Sequence, residues 1–178
     1  SYSSSRNLID LARAGVPAPV SEANRELISR LYVALDRKDG ESMARCYHAQ
    51  ASFRDPVFSL EGEAIGDMWR MLTARASDLR AESHEVVADA DSGSCRWEAR
   101  YTFSGTGRAV HNRIQARFRF RDGLIVEHVD QFDLWRWAAQ ALGPVGKLLG
   151  WSPMVRGKIR RQAAANLAAF QAKRRAAG

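Results

Sequence analysis

The sequence is poor in cysteine and has no long apolar run. Its 178 residues include two cysteines, Cys46 and Cys95, and neither belongs to a CxxC pair. We expect both thiols to be free and the protein to be cytoplasmic, because a disulfide-built protein would carry more cysteines. No apolar run approaches the roughly 18 residues of a membrane span. The first residues are polar and lack the apolar segment of a secretory signal, which agrees with that location.

The sequence also lacks a cluster of metal ligands. The four histidines are scattered, and none stands at ligand spacing from a cysteine; they are His48, His84, His111 and His128. A zinc site needs several such groups close together. We therefore expect no metal and no other cofactor.

Acidic residues are missing from the last quarter of the chain. Residues 134–178 contain nine lysines and arginines and no aspartate or glutamate. Residues 1–133 hold the other 18 basic residues against all 20 acidic ones, so the body is nearly neutral and the tail carries the net charge of +7. This distribution argues against a basic nucleic-acid-binding domain and for a separate C-terminal element.

The hydrophobic periodicity changes from helical to strand-like along the chain. Helical spacing predicts helices over 22–37 and 63–76, with a short one after Asp39. Alternation predicts strands over 51–55, 83–90, 96–104, 109–121 and 124–132. Helices followed by an antiparallel meander indicate the α+β class. The first 20 residues form a weak segment, with a short helix over 6–13 and a linker.

Three polar residues interrupt the apolar face of the predicted sheet: Asn112, His128 and Asp130. Strand alternation places them among apolar and aromatic neighbours. Each either satisfies a structural hydrogen bond or lines a cavity that holds water or a ligand. A desolvated carboxylate is also a stronger base near neutral pH, which favours Asp130 as a functional group.

Asp55 is the second candidate carboxylate. It ends a short strand after Phe53 and precedes Pro56, so it either caps a turn or faces the same cavity as Asp130. The expected cavity lining is aromatic, although such residues also build cores; we assign to it Phe53, Trp69, Trp97, Tyr101 and Phe118.

The segments 51–57 and 122–133, in this order of elements, resemble the nuclear transport factor 2-like superfamily. That superfamily includes ketosteroid isomerase, limonene epoxide hydrolase and the SnoaL-like polyketide cyclases. The resemblance spans about residues 21–133 and implies a cone-like curved antiparallel sheet wrapped around the N-terminal helices. It also implies an apolar small-molecule ligand and a homodimer. Residues 1–20 then precede the domain, and residues 134–178 form a basic helical extension.

By this resemblance Asp55 corresponds to the base of the isomerases, and Asp130 to the catalytic aspartate of the cyclases and hydrolases. Ala116 replaces the isomerase acid, and Trp97 and Ala99 replace an arginine and an aspartate of the hydrolases. We expect a cofactor-free enzyme of isomerase, cyclase or hydrolase type, in which His128 and Asn112 orient or polarise. The alternatives are a carrier of a hydrophobic ligand and a dimeric scaffold.

The extension lies outside the resemblance. Its tryptophans, leucines and basic helix allow two interpretations. The extension either packs on the domain, as a lid over the cavity or a dimer contact, or contacts an anionic membrane surface through Leu148, Leu149 and Trp151.

Overall fold

The computed structural model describes residues 18–178, so the helix predicted over 6–13 and most of the linker before residue 20 lie outside the described part. These residues form six helices and one six-stranded sheet. The helices are α1 (Glu22–Asp36), α2 (Gly40–Ala44), α3 (Glu63–Arg75), α4 (Leu134–Leu142), α5 (Pro144–Leu149) and α6 (Pro153–Ala177). The strands are β1 (Tyr47–Arg54), β2 (Ser59–Glu61), β3 (Arg80–Ala88), β4 (Ser92–Phe103), β5 (Arg108–Arg121) and β6 (Leu124–Gln131).

Helix α1 forms where the sequence predicts it. The Ser21 side chain accepts a hydrogen bond from the Asn24 amide and caps the first turn. One face of the helix is buried, with Leu27, Ile28 and Leu31 at most 2% exposed. This face packs on the inner side of the sheet and forms the centre of the core.

The sheet has the strand order β2-β1-β6-β5-β4-β3 and does not close. The predicted α+β architecture with a curved sheet is confirmed. Four of the five pairings are antiparallel, whereas β1 runs parallel to β6. The parallel pair joins the earliest and the last strand of the sheet. A meander read from turns alone does not reveal such a pairing, because it depends on a contact between distant parts of the chain.

The register of three pairings shifts within the sheet. Shifts occur in β1 between Tyr47 and Ser52, in β3 next to Glu85, and in β5 between Arg119 and Phe120. Glu85 has a φ of +55°, in the left-handed region. Bulges of this kind bend a strand and increase its twist, so they account for the curvature that turns the sheet around α1 and α3.

The C-terminal extension is helical and packs on the domain. In α6, Leu167 is buried and Phe170 packs against the core. Arg174 forms an ion pair with Asp67 of α3, and Arg160 donates a hydrogen bond to the Pro56 carbonyl at 2.9 Å. No helix among residues 18–178 combines the length and the apolar content of a membrane span.

Three elements differ from the sequence-based prediction. Strand β1 begins at Tyr47 rather than at residue 51, and β2 over residues 59–61 and α5 over residues 144–149 are short elements that the periodicity does not indicate. Short elements carry too few residues to show a period, and their pairing partners decide their conformation.

Helix α5 lies against α4 because residue 146 is glycine. A Cβ atom at Gly146 would overlap the backbone carbonyl of Ala138, which is itself fully buried. The two helices can therefore keep this spacing only without a side chain at this position.

We expect Gly146→Ala to destabilise the protein by about 1–3 kcal/mol, since overpacking forces backbone shifts. The free energy of unfolding in urea measures this change. Gly157→Ala is the matched control, because only the flexible Arg161 side chain approaches a Cβ atom there. In the interior of α6 that substitution should stabilise the helix by about 0.5–1 kcal/mol. Equal effects of the two substitutions would contradict the packing argument.

Candidate functional site

A continuous chain of buried hydrogen bonds crosses the interior of the cone. The Trp69 indole donates to the Tyr47 hydroxyl at 3.0 Å, and this hydroxyl lies 2.7 Å from Nδ1 of His128. Nε2 of His128 lies 2.8 Å from Oδ1 of Asp130, and the Trp97 indole donates to the same oxygen at 3.2 Å. His128 is 0% and Asp130 4% exposed. These hydrogen bonds thus link side chains from α3, β1, β6 and β4, and the chain ends at the Asp130 carboxyl.

The order of donors and acceptors assigns the protons. Tyr47 accepts from Trp69, so its own O–H is free to donate to Nδ1 of His128. The ring proton then sits on Nε2 and donates to Asp130, whose oxygen accepts from Trp97 as well. In this arrangement every donor of the chain has an acceptor, and the imidazole carries a single proton.

Aromatic rings surround the His128 imidazole. Phe118 and Phe53 lie 4.4 and 4.9 Å from it between ring centroids, and Trp69 stacks at 6.4 Å. The parallel pairing sets Phe53 opposite His128. Phe53, Trp69, Trp97 and Phe118, predicted as ligand contacts, are all buried and pack around the chain of hydrogen bonds. Their role toward a ligand stays a prediction.

Asp55 lies at the end of β1, on the same side as this chain. Arg54 of β1 pairs with Val129 of β6, and the two strands are parallel, so the next residues, Asp55 and Asp130, are neighbours. Alternation places the Asp55 side chain on the same face as Phe53. Its Oδ1 accepts the amides of Val57 at 2.7 Å and Phe58 at 2.6 Å, which is the turn-capping arrangement.

Burial is the main cause that raises the pKa of the Asp55 carboxyl to about 6. The two amide hydrogen bonds oppose the rise, and the charge of Asp130 adds to it. Asp55 therefore caps a turn and also titrates near neutral pH.

Tyr32 adds a buried hydroxyl near Asp130. Its ring centroid lies 5.1 Å from that of Trp97, and among residues 18–178 its oxygen has only the Cys95 thiol, a weak hydrogen-bonding group, beside it. Burial, and next the charge of Asp130, raise the pKa of this phenol well above its usual value. A buried hydroxyl without a strong partner is costly, which favours a position where a ligand oxygen or water binds.

The sequence-based prediction missed Tyr47 as a member of the site. The alternation of β1, continued back from Phe53, gives Tyr47 the inner face, but the bulge after it and the expected helix obscure this signal. The sequence-based prediction assigned Trp97 to the aromatic lining of the cavity and did not foresee that its indole N–H donates to Asp130.

Two predicted site residues lie away from this cluster. Ala116 is the residue opposite Asp130, and Asn112 is four positions along β5, about 13 Å away. Asn112 is half-buried and lines an open cavity of about 350 Å³ beside α4. Tyr101 is farther along β4 and accepts a hydrogen bond from Trp137. Asn112 and Tyr101 thus lie at a distance from Asp130 along their strands, since strand alternation defines a face but not a distance along it, and their contact with a ligand stays a prediction.

One group on the outer sheet face has metal-ligating side chains. Glu82, His84 and Glu98 bring one ligand atom each within 4.8 Å of one another. The first two are exposed, and Glu98 also forms an ion pair with Arg113 at 3.2 Å. Glu98 already has a partner, and Glu82 and His84 are hydrated, so the three side chains can lie close together without an ion.

Solved structures with the same fold are numerous. IdmH from Streptomyces antibioticus, a candidate polyketide cyclase, is 25% identical, with 67% of this chain and 98% of that chain covered at a TM-score of 0.55. AclR from Streptomyces galilaeus, a candidate hydroxylase, is 22% identical, with 64% and 92% covered at 0.54.

A third neighbour is a Catenulispora acidiphila protein with a ketosteroid isomerase-like fold, in complex with trimethylamine. It is 14% identical, with 72% and 98% covered at a TM-score of 0.60. None of the curated protein sequences matches this chain. The sequence profile of the SnoaL-like domain matches residues 28–128, more than half of the chain. Fold and profile agree, and the protein belongs to the SnoaL-like domain family.

Proposed function

We propose that the protein is a cofactor-free enzyme that moves a proton on an apolar small molecule, with Asp130 as the base. The observation that carries this proposal is the buried Asp130 carboxylate, which is held by His128 and Trp97. Its hydrogen bonds from the described residues both fall on Oδ1, so the second oxygen is available to a substrate proton. Such a base suits isomerisation, aldol cyclisation or activation of water.

The surrounding chain supports the two protonation states that a base needs. When Asp130 takes a proton, the two N–H groups on Oδ1 keep the carboxyl in place. His128 is fixed in turn by the Tyr47 hydroxyl, so its orientation does not depend on the charge of Asp130. His128 and Tyr47 are positioning residues in this scheme.

The buried Tyr32 hydroxyl supports an oxygen-containing substrate. A carbon acid next to a carbonyl develops negative charge on oxygen as the proton leaves, and a buried O–H donor stabilises that charge. Tyr32 lies beside Trp97, whose indole donates to Asp130, so the proposed donor and the proposed base border the same part of the interior. Asp55, with its pKa of about 6, is suited to return a proton near neutral pH.

A second candidate is a non-catalytic carrier of a hydrophobic ligand. The specific observation in its favour is that Asp55 caps a turn and that His128 and Asp130 already have protein partners. In a carrier these groups would hold the fold, and the aromatic interior would bind a ligand by exclusion of water.

We also propose that two copies pair through the outer face of the sheet, as the family resemblance implies. This face carries both acidic and basic side chains, which form ion pairs such as Arg113 with Glu98 and Arg96 with Glu85. Complementary charges on one face allow a two-fold pairing. We expect a dimer in analytical ultracentrifugation, and a monomer at all concentrations would contradict it.

The substitution Asp130→Asn tests the base. The probe is 5-nitrobenzisoxazole, from which a base removes the ring C–H proton while the N–O bond breaks and releases a coloured phenolate. We expect turnover by the wild type and a loss of about a hundredfold or more in kcat for Asp130→Asn, because the amide keeps the hydrogen bonds but cannot take the proton.

Asp91→Asn is the matched control, since Asp91 is exposed in the turn before β4. It should leave the rate unchanged, and circular dichroism should show both variants folded. Full turnover by Asp130→Asn would overturn the assignment of the base. Binding of the probe without turnover in the wild type would favour the carrier.

The pH dependence of stability tests the environment of Asp55. Its pKa of about 6 in the folded state lies above its ordinary value of 3.8, so the stability it contributes at low pH is lost as pH rises through about 6. Asp55→Asn keeps the turn cap without the charge. We expect it to gain stability relative to the wild type between pH 4 and pH 7, by about 3 kcal/mol at most.

Asp36→Asn is the control. The Ala81 amide and next the Arg80 side chain hold the pKa of Asp36 below its usual value of 3.8, so its contribution varies with pH below about pH 4, and the difference between this variant and the wild type should change little between pH 4 and pH 7. Urea unfolding at both pH values measures the two differences. If the difference in unfolding free energy between Asp55→Asn and the wild type were the same at both pH values, Asp55 would be solvated, and the raised pKa would be contradicted.

A further inference from the structure

Five large apolar side chains are exposed together where the C-terminal extension turns twice. Val145, Leu148 and Leu149 belong to α5, Trp151 follows it, and Met154 begins α6; we call these five residues the apolar corner. Met154 is 75%, Leu148 70% and Trp151 62% exposed. Contiguous exposed apolar residues of this size are uncommon on a free surface and mark an interaction site.

The fold holds the apolar corner in a fixed orientation. Gly146 and Gly150 share the side of α5 that faces α4, where a Cβ atom would meet Ala138. Val145, Leu148 and Leu149 stand at positions i, i+3 and i+4, which places them together on another side of the helix. The close approach of the glycines therefore directs the leucines outward.

The tryptophans at this corner need no hydrogen-bond acceptor from a partner. The Trp151 indole donates to the Leu148 carbonyl at 2.8 Å, and the neighbouring Trp135 indole donates to the Lys147 carbonyl at 3.0 Å. An indole with a satisfied N–H enters an apolar phase without losing a hydrogen bond. This arrangement suits a surface that is transferred from water into an apolar phase.

The charged side chains of the extension itself all have one sign. Residues 134–178 contain no acidic residue, and Lys147 stands within the corner. On α6, Met154, Lys158 and Arg161 follow one another at helical spacing and are all exposed. The exposed face of α6 thus begins apolar and continues cationic, which is the pattern of an interfacial helix at anionic headgroups.

We propose that the apolar corner and the adjoining cationic face of α6 dock on a membrane surface rich in anionic lipid. Leucine and tryptophan side chains enter the boundary between headgroups and acyl chains, and Lys147, Lys158 and Arg161 contact phosphates. Charge complementarity selects this occupant over a second copy, because pairing two such faces would bring like charges together with no acid to offset them. The inference stands apart from the proposed enzyme activity, since it concerns only the extension.

Vesicle binding by the full chain tests the proposal. The probes are vesicles of equimolar phosphatidylcholine and phosphatidylglycerol, compared with vesicles of phosphatidylcholine alone. We expect co-sedimentation with the anionic vesicles that weakens as salt rises, because salt screens the cationic contribution. Leu148→Asp should lower the partition coefficient at least about tenfold, since a carboxylate resists transfer from water.

Matched controls separate the surface from general effects. Val87→Asp changes an equally apolar residue, 57% exposed on β3, and should leave binding unchanged. Lys158→Gln with Arg161→Gln should weaken binding to anionic vesicles. Arg30→Gln with Arg75→Gln, which removes the same charge from exposed positions of α1 and α3, should have little effect.

Three outcomes would overturn the proposal. The first is a wild-type chain that does not co-sediment with anionic vesicles, and the second is a Leu148→Asp variant that binds as well as the wild type. The third is a self-associated wild type that Leu148→Asp converts to a smaller species, without vesicle binding by either. That result would assign the apolar corner to a second copy.

Discussion

The structure depends on how one negative charge is held inside the cone. A buried carboxylate is tolerated only when donors surround it, and Asp130 receives two, one from β6 and one from β4. The imidazole donor is oriented by Tyr47 on β1, which accepts from Trp69 on α3. Loss of any element would leave a buried group unsatisfied. The same hydrogen bonds therefore join helix and sheet and keep the carboxylate in one position.

Local pattern is sufficient to predict the faces of the strands and the central helices. Alternation alone places His128 and Asp130 inside, and helical spacing places the buried face of α1. It fails where a long-range contact decides. The parallel partner of β1, the bulge that brings Tyr47 into the site and the seating of α5 on α4 all depend on residues far apart in sequence. Asn112 shows the remaining limit, because it shares a face with Asp130 but lies about four residues too far along its strand.

Uncharged side chains surround the Asp130 carboxyl on the neighbouring strands. Ala116 of β5 lies opposite Asp130, and Trp97 of β4 donates its indole N–H to it. Neutral donors hold the charge of Asp130 without cancelling it. Under the proposed function, Asp130 is then a base in an apolar setting, and the ligand that reaches it determines the reaction.

The hydrogen bond from Arg160 to the Pro56 carbonyl links the extension to the site. Pro56 follows Asp55 directly, and the next two amides hold the Asp55 carboxylate. Helix α6 therefore contacts the carbonyl of the residue that directly follows the ionisable Asp55. Thermodynamic reciprocity makes this relation two-way: a partner that shifts α6 and changes proton uptake at Asp55 must itself bind with an affinity that varies with pH.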